Sequence, residues 1–467
     1  MTVTEADRRR QISEMRSKLG HPIVDADGHL LESVPLLAQY VDTVGGPAMV
    51  DNLIGVLPGI FTGPGDADRY EARGPWWPAP ADAEYQATVM APSLMAERLE
   101  ELGIDFAIVY PSLGLALCTL PDSDLRQGVC MALNRMNAEL CGPHAERLTP
   151  SSVIPMHTPT EAIETLGHAT EVGLRVAMIP PAVARPVTAY PDAFPTFSRL
   201  DRYGIDSDHD YDAVWQAFVD HRVAVSAHGG LGFRYLPSSS RSTSNYVFNH
   251  VLGHAEFQEH LCRSLVFGGV PQRFPQLPFL FMEGGVLWAL ALLAALEEHW
   301  EKRSARGLSA FDPARLDLDR LGELLTAHGL PPQAPQMLER EGPQPWVRDE
   351  FADSGISEEE DLARIFGEQF FFGCESDDFG VHRALDARGN PLGAALRPLF
   401  SSDIGHWDVP RLIDVVPQSR HLVDAGLLDA AGYQRFVFDD VVRAHTRLNP
   451  GFFKGTTVEK EVSEIAP

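Results

Sequence analysis

The stretch HPIVDADGHLLE at residues 21–32 places acidic and histidine side chains where they could bind a metal ion. Two apolar β-branched residues lead into Asp25, Asp27 and His29. In a strand, residues two apart point to the same face, so these three side chains are expected to face one way. If that face is the interior, unpaired charges there would be very costly, and a metal ion is a suitable partner. A surface loop with hydrated aspartates is the alternative interpretation of this stretch alone.

Similar side chains follow apolar runs later in the chain. His228 lies in VSAHGG, Glu283 in FLFMEGG, and Asp403 and His406 lie in SSDIGHWD. Each has an ordinary structural explanation when taken alone: a turn, bonds to backbone amides, or an N-cap. Together with the first stretch, they supply the nitrogen and oxygen ligands that a zinc-like or manganese-like divalent ion uses. The combination therefore predicts a site.

To act together, these residues must lie at one end of a common sheet. Apolar runs alternate with amphipathic helical segments, which is typical of an α/β protein with a parallel sheet covered on both faces. Eight such units predict a (β/α)8 TIM barrel, because closing eight strands leaves no exposed edge. An open doubly wound sheet is the alternative, although no GxGxxG follows the first strand. The predicted strands cover 23–27, 105–111, 148–155, 174–181, 222–230, 279–285, 369–375 and 398–406.

The barrel fold also predicts where the site lies. In TIM barrels the active site is at the carboxyl ends of the strands, and the polar residues above fall at such ends. We expect a single domain over residues 1–467 with several additions to the barrel. These are an N-terminal helix at 1–20, a lid-like insertion at 42–85, a small helical insertion at 301–368 before the seventh strand, and a C-terminal tail at 449–467.

Composition excludes several classes of partner. The 467 residues carry a net charge of −27, which disfavours nucleic acid and anionic membrane surfaces. No apolar run approaches the roughly 20 residues of a membrane span, and the N-terminus lacks the apolar core of a secretory signal. Five cysteines, an odd number with no CxxC pair, indicate reduced thiols. We expect a cytoplasmic protein that acts on a small molecule.

Four motifs resemble those of the amidohydrolase-related group of the amidohydrolase superfamily, and they occur along the chain in the same order as in that group. That group contains the metal-dependent decarboxylases of aminocarboxymuconate semialdehyde and of hydroxybenzoates. VDADGHLLE resembles its first-strand motif, VSAHGG its fifth-strand histidine, and SSDIGHWD its eighth-strand aspartate motif. HAEFQEHLCRSLVFGGVPQRFPQLPFLFMEGGVLW resembles its signature around strand six. The resemblance covers nearly the whole chain and implies a TIM barrel with one divalent ion, zinc or else manganese. It also implies a homodimer, since many barrels of the group are dimers.

The resemblance assigns roles to individual residues. The implied metal ligands are Asp27, His29, His228 and Asp403. Many members have histidine at the first of these positions. An acidic residue there occurs in some decarboxylases of the group, which favours decarboxylation here.

One position departs from the family pattern. The semialdehyde decarboxylase has a catalytic histidine after strand six, and this chain has Glu283 there. Proton transfer then falls to Asp403, to Glu283 itself or to His254 in NHVLGHAEF. An ordinary surface histidine at a helix N-terminus is the alternative interpretation of His254.

The loops near the predicted site contain aromatic residues and one arginine. We expect Arg234, His406 and Trp407 to bind the substrate, because such residues suit a flat, carboxylated molecule. Trp76 and Trp77 fit a loop-anchoring role better. The predicted reaction is the non-oxidative decarboxylation of a small carboxylated aromatic or cyclic substrate. Hydrolysis of a cyclic or amide-like bond is the alternative within enzymes, and a non-catalytic barrel with a binding role is the alternative outside them.

Overall fold

The computed structural model describes residues 4–58, 79–187, 198–229, 242–312, 315–332 and 348–465. These residues contain ten strands, of which eight are parallel. The eight parallel strands form one sheet, in which neighbours follow the order of the chain. They are β1 (Val24–Leu30), β2 (Phe106–Pro111), β3 (Leu148–Val153), β4 (Val176–Ile179), β7 (Val225–Ala227), β8 (Phe279–Phe281), β9 (Phe370–Glu375) and β10 (Pro398–Ser401). All eight predicted strands are confirmed.

The last parallel strand meets the first, which makes the sheet a barrel. The N–H of Asp403 donates to the carbonyl of Asp27 at 2.8 Å, and the N–H of His29 donates to the carbonyl of Ile404 at 2.6 Å. With helices between consecutive strands, this is the predicted (β/α)8 TIM barrel.

An antiparallel hairpin outside the barrel was not predicted. It pairs β5 (Val183–Pro186) with β6 (Ser198–Asp201), and Arg185 Nε lies 3.0 Å from Asp201 Oδ2 across it. Its two strands have four residues each and lack an apolar run, so the pattern of the sequence gives no strand signal there. The predicted fifth to eighth strands are consequently β7 to β10.

The helices cover the outside of the barrel and its additions. The predicted N-terminal helix is present as Glu5–Arg16. The long helix Val34–Val56 is kinked at Gly46 and contains the first part of the predicted 42–85 insertion. Residues 59–78 of that insertion lie outside the described residues. The other α-helices are Ala83–Met90, Pro92–Leu102, Gly114–Leu117, Ser123–Cys141, Pro159–Glu171, Asp212–Asp220, Tyr246–His250, Gly253–Phe267, Val270–Arg273, Leu287–Arg303, Ala305–Leu308, Leu318–Ala327, Glu350–Asp353, Glu359–Arg364, Val381–Leu385, Val415–Ser419, His421–Asp424, Ala430–Gln434, Asp440–Thr446 and Glu459–Ile465.

The insertion before β9 and the C-terminal tail are both described in part. The described parts of 301–368 are mainly helical, as predicted. In the tail, Phe452 and Phe453 are buried, and the ring of Phe453 packs edge-on against Phe106 of β2, so this segment packs on the barrel.

Two further expectations concern cysteines and membranes. The structure describes all five cysteines, each of which is buried, with no disulfide among them. None of the helices in the described ranges has the length and the apolar character needed to cross a membrane.

Candidate metal centre

The carboxyl ends of four barrel strands bring the predicted polar side chains together. All of these side chains are buried or nearly buried at the carboxyl-end rim of the barrel. They are Asp27 and His29 in β1, His228 after β7, Glu283 after β8, and Asp403 and His406 after β10. Because parallel strands of a barrel end at the same rim, residues from distant parts of the chain become neighbours here.

Three of these residues have the spacing of ligands around one ion, and a fourth, Asp403, contacts one of them. Asp27 Oδ1 lies 3.1 Å from His228 Nε2 and 3.4 Å from His29 Nε2, and His29 Nε2 lies 3.3 Å from Asp403 Oδ1. Ligand atoms at about 2.1 Å from a common ion are about 3.0–3.4 Å apart in octahedral or tetrahedral arrangements. The set Asp27, His29 and His228 therefore fits one divalent ion, and Asp403 is a candidate fourth ligand beside His29.

The hydrogen bonding of these residues also fits an ion. Within the described residues, His29 Nε2, Asp27 Oδ2 and Asp403 Oδ2 are buried and make no hydrogen bond, whereas Asp403 Oδ1 faces His406 Nδ1 at 2.7 Å. Buried polar atoms without a partner are uncommon in proteins, and a bound ion would satisfy these. Burial lowers the pKa of His29 to about 4, so its ring is neutral at pH 7, as a metal ligand must be.

Asp25 does not join this group, which corrects the expectation that Asp25, Asp27 and His29 face the same way. The carboxylate of Asp25 binds Ser402 instead, accepting from its N–H at 2.9 Å and from its hydroxyl at 2.5 Å. The pairing of β1 with β2 shifts register between Asp25 and Gly28, so the alternation of side chains is interrupted at this point.

The two acidic residues that follow β8 and β10 have a strained backbone. Glu283 has a φ of +59° and Asp403 a φ of +51°, in the left-handed region that non-glycine residues seldom adopt. Gly405, at φ +110°, leaves no room for a Cβ, which would lie 2.8 Å from the carbonyl oxygen of His29. Strained residues of this kind cluster at functional sites.

Glu283 is the centre of a group of histidines. Its Oε2 lies 2.8 Å from His254 Nδ1 and 3.6 Å from His228 Nδ1, and its Oε1 lies 3.4 Å from His406 Nδ1. Burial by itself would raise the pKa of Glu283, but the pairing with His254 and its other histidine neighbours holds that pKa well below its ordinary value. Glu283 is therefore an ionised carboxylate beside the imidazole of His254.

His406 connects the histidines around Glu283 to the four candidate metal ligands. Its ring stacks on His29 with centroids 3.6 Å apart, and its Nδ1 lies 2.7 Å from Asp403 Oδ1. Burial disfavours the charged imidazole, but the Asp403 carboxylate outweighs this effect and raises the pKa of His406 well above its ordinary value. His406 is thus a cation next to the site.

Aromatic rings border the site near His254. Trp407 donates from Nε1 to the hydroxyl of Tyr246 at 3.1 Å, and His250 lies between Trp407 and His254 with centroids 5.2 Å from each. Trp407 was predicted, whereas Tyr246 was not, because the residues before it give no strand or motif that would place it at the mouth.

The structure adds an acidic residue that the sequence reasoning missed. Glu375 ends β9, and its carboxylate lies within 4.8 Å of ligand atoms of Asp403 and Asp408. Burial raises the pKa of Glu375 to about 8. The signal was present, since Glu375 is a polar residue at a strand end like those that were predicted.

Gln258 positions two of the site residues from outside. Its Nε2 donates at 2.9 Å to the carbonyls of Ala227 and Met282, the residues immediately before His228 and Glu283. The helix Gly253–Phe267 that carries Gln258 also carries His254. One helix therefore fixes the positions of His254, His228 and Glu283 relative to one another.

One predicted substrate residue and two predicted loop-anchoring residues lie outside the described residues. Arg234 belongs to 230–241, and Trp76 and Trp77 belong to 59–78. Their predicted roles stay predictions.

Comparison with known proteins gives a family and a fold. The family model described as amidohydrolase matches residues 24–330. Among solved structures, an amidohydrolase from Mycobacterium avium subsp. paratuberculosis K-10 is 14% identical, with 91% of this chain and 98% of that chain covered and a TM-score of 0.54. An amidohydrolase II is 15% identical, with 91% and 99% covered and a TM-score of 0.50.

A 2,6-dihydroxybenzoate decarboxylase from Rhizobium is 14% identical, with 91% and 99% covered and a TM-score of 0.49. At these identities the likenesses concern the fold alone. No curated protein matches the sequence.

Proposed function

Because the chain belongs to the amidohydrolase family, we propose that it is a metal-dependent enzyme of that superfamily and that it removes CO₂ from a small carboxylated aromatic or cyclic substrate. The observation that carries the proposal is the convergence of Asp27, His29 and His228 with the spacing of ligands around one ion, with Asp403 in contact with His29. Zinc is the ion we expect, and manganese is the alternative, since both accept nitrogen and oxygen ligands.

The four ligands give the site its electrophile. A divalent ion held by them would polarise a carboxylate and a neighbouring oxygen of the substrate and would lower the pKa of a bound water towards about 7. Two carboxylates and two neutral imidazoles leave the site with no net charge once a divalent ion is bound, so an anionic substrate is not repelled by this set.

Proton delivery is the task of the chain's own acids. In non-oxidative decarboxylation the bond from the ring or chain carbon to the carboxylate breaks, its electron pair stays on that carbon, and CO₂ leaves. The carbon then takes one proton, which balances the reaction. We assign that proton to His254, which lies 2.8 Å from the Glu283 carboxylate, or to Asp403.

Substrate binding completes the proposal. Trp407 and the charged His406 border the site and would contact a planar, anionic molecule, and Arg234 is proposed to bind a carboxylate or hydroxyl of it. A homodimer and a cytoplasmic location remain predictions from the sequence.

Hydrolysis of a cyclic or amide-like bond is the second candidate. It is favoured by Asp403, whose Oδ2 is buried and makes no hydrogen bond within the described residues, while its Oδ1 faces His406 Nδ1 at 2.7 Å. One oxygen could bind the ion while the other takes a proton from the attacking water and passes it to the leaving group.

The first experiment measures the metal content of the purified, untagged protein beside its Asp403→Asn variant. We expect near-stoichiometric zinc or manganese in the wild type and much less in Asp403→Asn, because a ligand charge is lost. Asp105→Asn is the matched control, since Asp105 accepts from the N–H of Ile23 at the opposite end of the barrel. No metal in the wild type, even after incubation with zinc or manganese, would overturn the metalloenzyme and favour a non-catalytic barrel.

A second experiment separates the two reactions. The metal-loaded protein is screened against carboxylated aromatics for release of CO₂ and against cyclic amides for ring opening. Release of CO₂ without incorporation of oxygen from labelled water supports decarboxylation. Labelled oxygen in a ring-opened product supports hydrolysis and contradicts the first choice.

A further inference from the structure

We propose that Asp25 and Ser402 form a positioning pair that fixes Asp27 and Asp403 relative to each other across the closure between β1 and β10. The inference rests on the proposed metal site, because it concerns two of the four residues assigned to the ion. Asp25 and Ser402 would act through these ligands and would not bind the ion themselves.

The hydrogen bonds of Asp25 connect both strands at the points where the ligands lie. One carboxylate oxygen accepts from the N–H of Asp27 at 3.1 Å and from the N–H of Ser402 at 2.9 Å. The other accepts from the hydroxyl of Ser402 at 2.5 Å. The side chain of Asp25, which is 1% exposed, thus binds the backbone of one proposed ligand, Asp27. It also binds Ser402, the residue directly before the other proposed ligand, Asp403.

Ser402 extends this connection to the far side of Asp403. Its hydroxyl oxygen accepts from the N–H of Ile404 at 3.1 Å, so Ser402 and Ile404 are tied on either side of the ligand. Asp403 itself has a φ of +51°. A residue in such a strained conformation keeps it only when its surroundings over-determine it, and the bonds of Ser402 provide that constraint.

The chain makes room for this arrangement at Gly28. A Cβ at Gly28 would lie 3.0 Å from Asp25 Oδ2 and 3.7 Å from the Ser402 hydroxyl oxygen. The register of β1 shifts between Asp25 and Gly28, which turns the Asp25 carboxylate towards β10 while Asp27 faces the other ligands. The motif DADGH therefore contains one residue for positioning and two for the ion.

The consequence concerns metal affinity. His29 Nε2 lies 3.4 Å from Asp27 Oδ1 and 3.3 Å from Asp403 Oδ1, distances close to the spacing that one ion requires. If the closure relaxes, these distances change and the ion is held less tightly. Residues that orient metal ligands in this way typically contribute about 10–100-fold to metal affinity.

Cobalt binding tests the pair. Metal-free wild type, Asp25→Asn and Ser402→Ala are titrated with Co²⁺, and the visible absorption of the bound ion reports both its affinity and its coordination. We expect the dissociation constant to rise about 10–100-fold in each variant, with an altered absorption band. Unchanged affinity and an unchanged band in both variants would overturn the proposal.

Asp105→Asn is the matched control for this titration. Asp105 also binds the backbone of the β1 region, accepting from Ile23 N–H at 2.7 Å, but at the end of β1 away from the site. We expect Asp105→Asn to lower the melting temperature without changing Co²⁺ affinity. An equal loss of affinity in Asp105→Asn would mean that Asp25 contributes only to general stability.

Hydrogen exchange of the metal-free proteins tests the pair independently of the ion. We expect faster amide exchange in peptides covering 24–30 and 398–406 in Asp25→Asn and Ser402→Ala, and not at 398–406 in Asp105→Asn. If the wild type binds no Co²⁺, the proposed metal function fails, and exchange still decides whether Asp25 holds the closure. Ser402→Ala, which removes only a hydroxyl, carries both tests if Asp25→Asn does not fold.

Discussion

His254 and Glu283 show how a single substitution in a family pattern changes a network of neighbours. The resemblance implies a histidine after strand six, and this chain has a strained glutamate there whose carboxylate meets three histidines. In this chain the helix Gly253–Phe267 supplies an imidazole, His254, and the end of β8 supplies a carboxylate, Glu283. The proposed proton donor therefore lies on a helix and its carboxylate partner follows a strand.

This arrangement predicts the effect of His254→Gln. We expect kcat to fall about 10²–10⁴-fold because the proton donor is lost, while metal content stays at the wild-type level because His254 is not among the four proposed ligands. The measurement is steady-state kinetics on the substrate found in the CO₂ screen, with metal analysis of the same sample. His260→Gln, on the same helix but paired with Arg202, is the control and should keep wild-type rates. A wild-type kcat in His254→Gln would leave Asp403 as the donor.

At the level of residues, the sequence was sufficient where a simple geometric rule applies. Polar residues that end barrel strands converge, which is why Asp27, His29, His228 and Asp403 could be grouped before their distances were known. Asp25 was misassigned because a register shift in a strand leaves no trace in residue spacing. Tyr246 was missed because its position depends on a connection between elements and not on a strand end.

The elements of the barrel were predictable for a related reason. Strands buried on both faces are continuous apolar runs, and all eight such runs became parallel strands. The hairpin of β5 and β6 was not predicted because its strands are short, one of them is partly exposed, and neither has an apolar pattern. Strand pairing and an ion pair stabilise it.

One contact between helices predicts a large change in stability. Arg126 of the helix Ser123–Cys141 binds Glu161 of the helix Pro159–Glu171 through two parallel bonds of 2.7 and 2.9 Å, and both side chains are buried. Glu161→Gln leaves the guanidinium without its counter-charge. We expect the free energy of unfolding to fall by about 3 kcal/mol, the range for breaking one side of a buried pair.

Chemical denaturation measures that change. Glu5→Gln is the control, since it breaks an exposed pair with Arg9, and we expect a change below about 1 kcal/mol. Similar losses in both variants would contradict the importance given to burial.

At the scale of the whole molecule, the pH dependence of stability follows from buried histidines. His445 is 3% exposed and stacks on Phe452 with ring centroids 4.5 Å apart. Burial, with a smaller contribution from Arg175, lowers the pKa of His445 to about 3. The unfolded chain, whose histidine has a pKa of about 6.5, therefore takes up a proton that the folded protein does not.

The sign of the effect is fixed by these two values. The stability contributed by neutral His445 is complete above about pH 6.5 and is lost as the pH falls towards 3, by about 1.4 kcal/mol per pH unit. We expect His445→Gln to lose less melting temperature than the wild type between pH 7 and pH 4.5. His299→Gln, at an exposed position, should follow the wild type. Parallel losses in the wild type and His445→Gln would contradict the assignment.

The meeting of β1 with β10 has a consequence for biosynthesis. Asp27 and His29 leave the ribosome early, while Asp403 follows β10, and at about 5–20 residues per second the interval is roughly 20–75 s. Throughout that time the nascent chain holds only part of the proposed ligand set and has two unpaired strand edges. Completion of the proposed ion site therefore waits until β10 has been made, and a nascent chain that stalls before β10 exposes both the edges and the uncompensated carboxylates to the machinery of protein quality control.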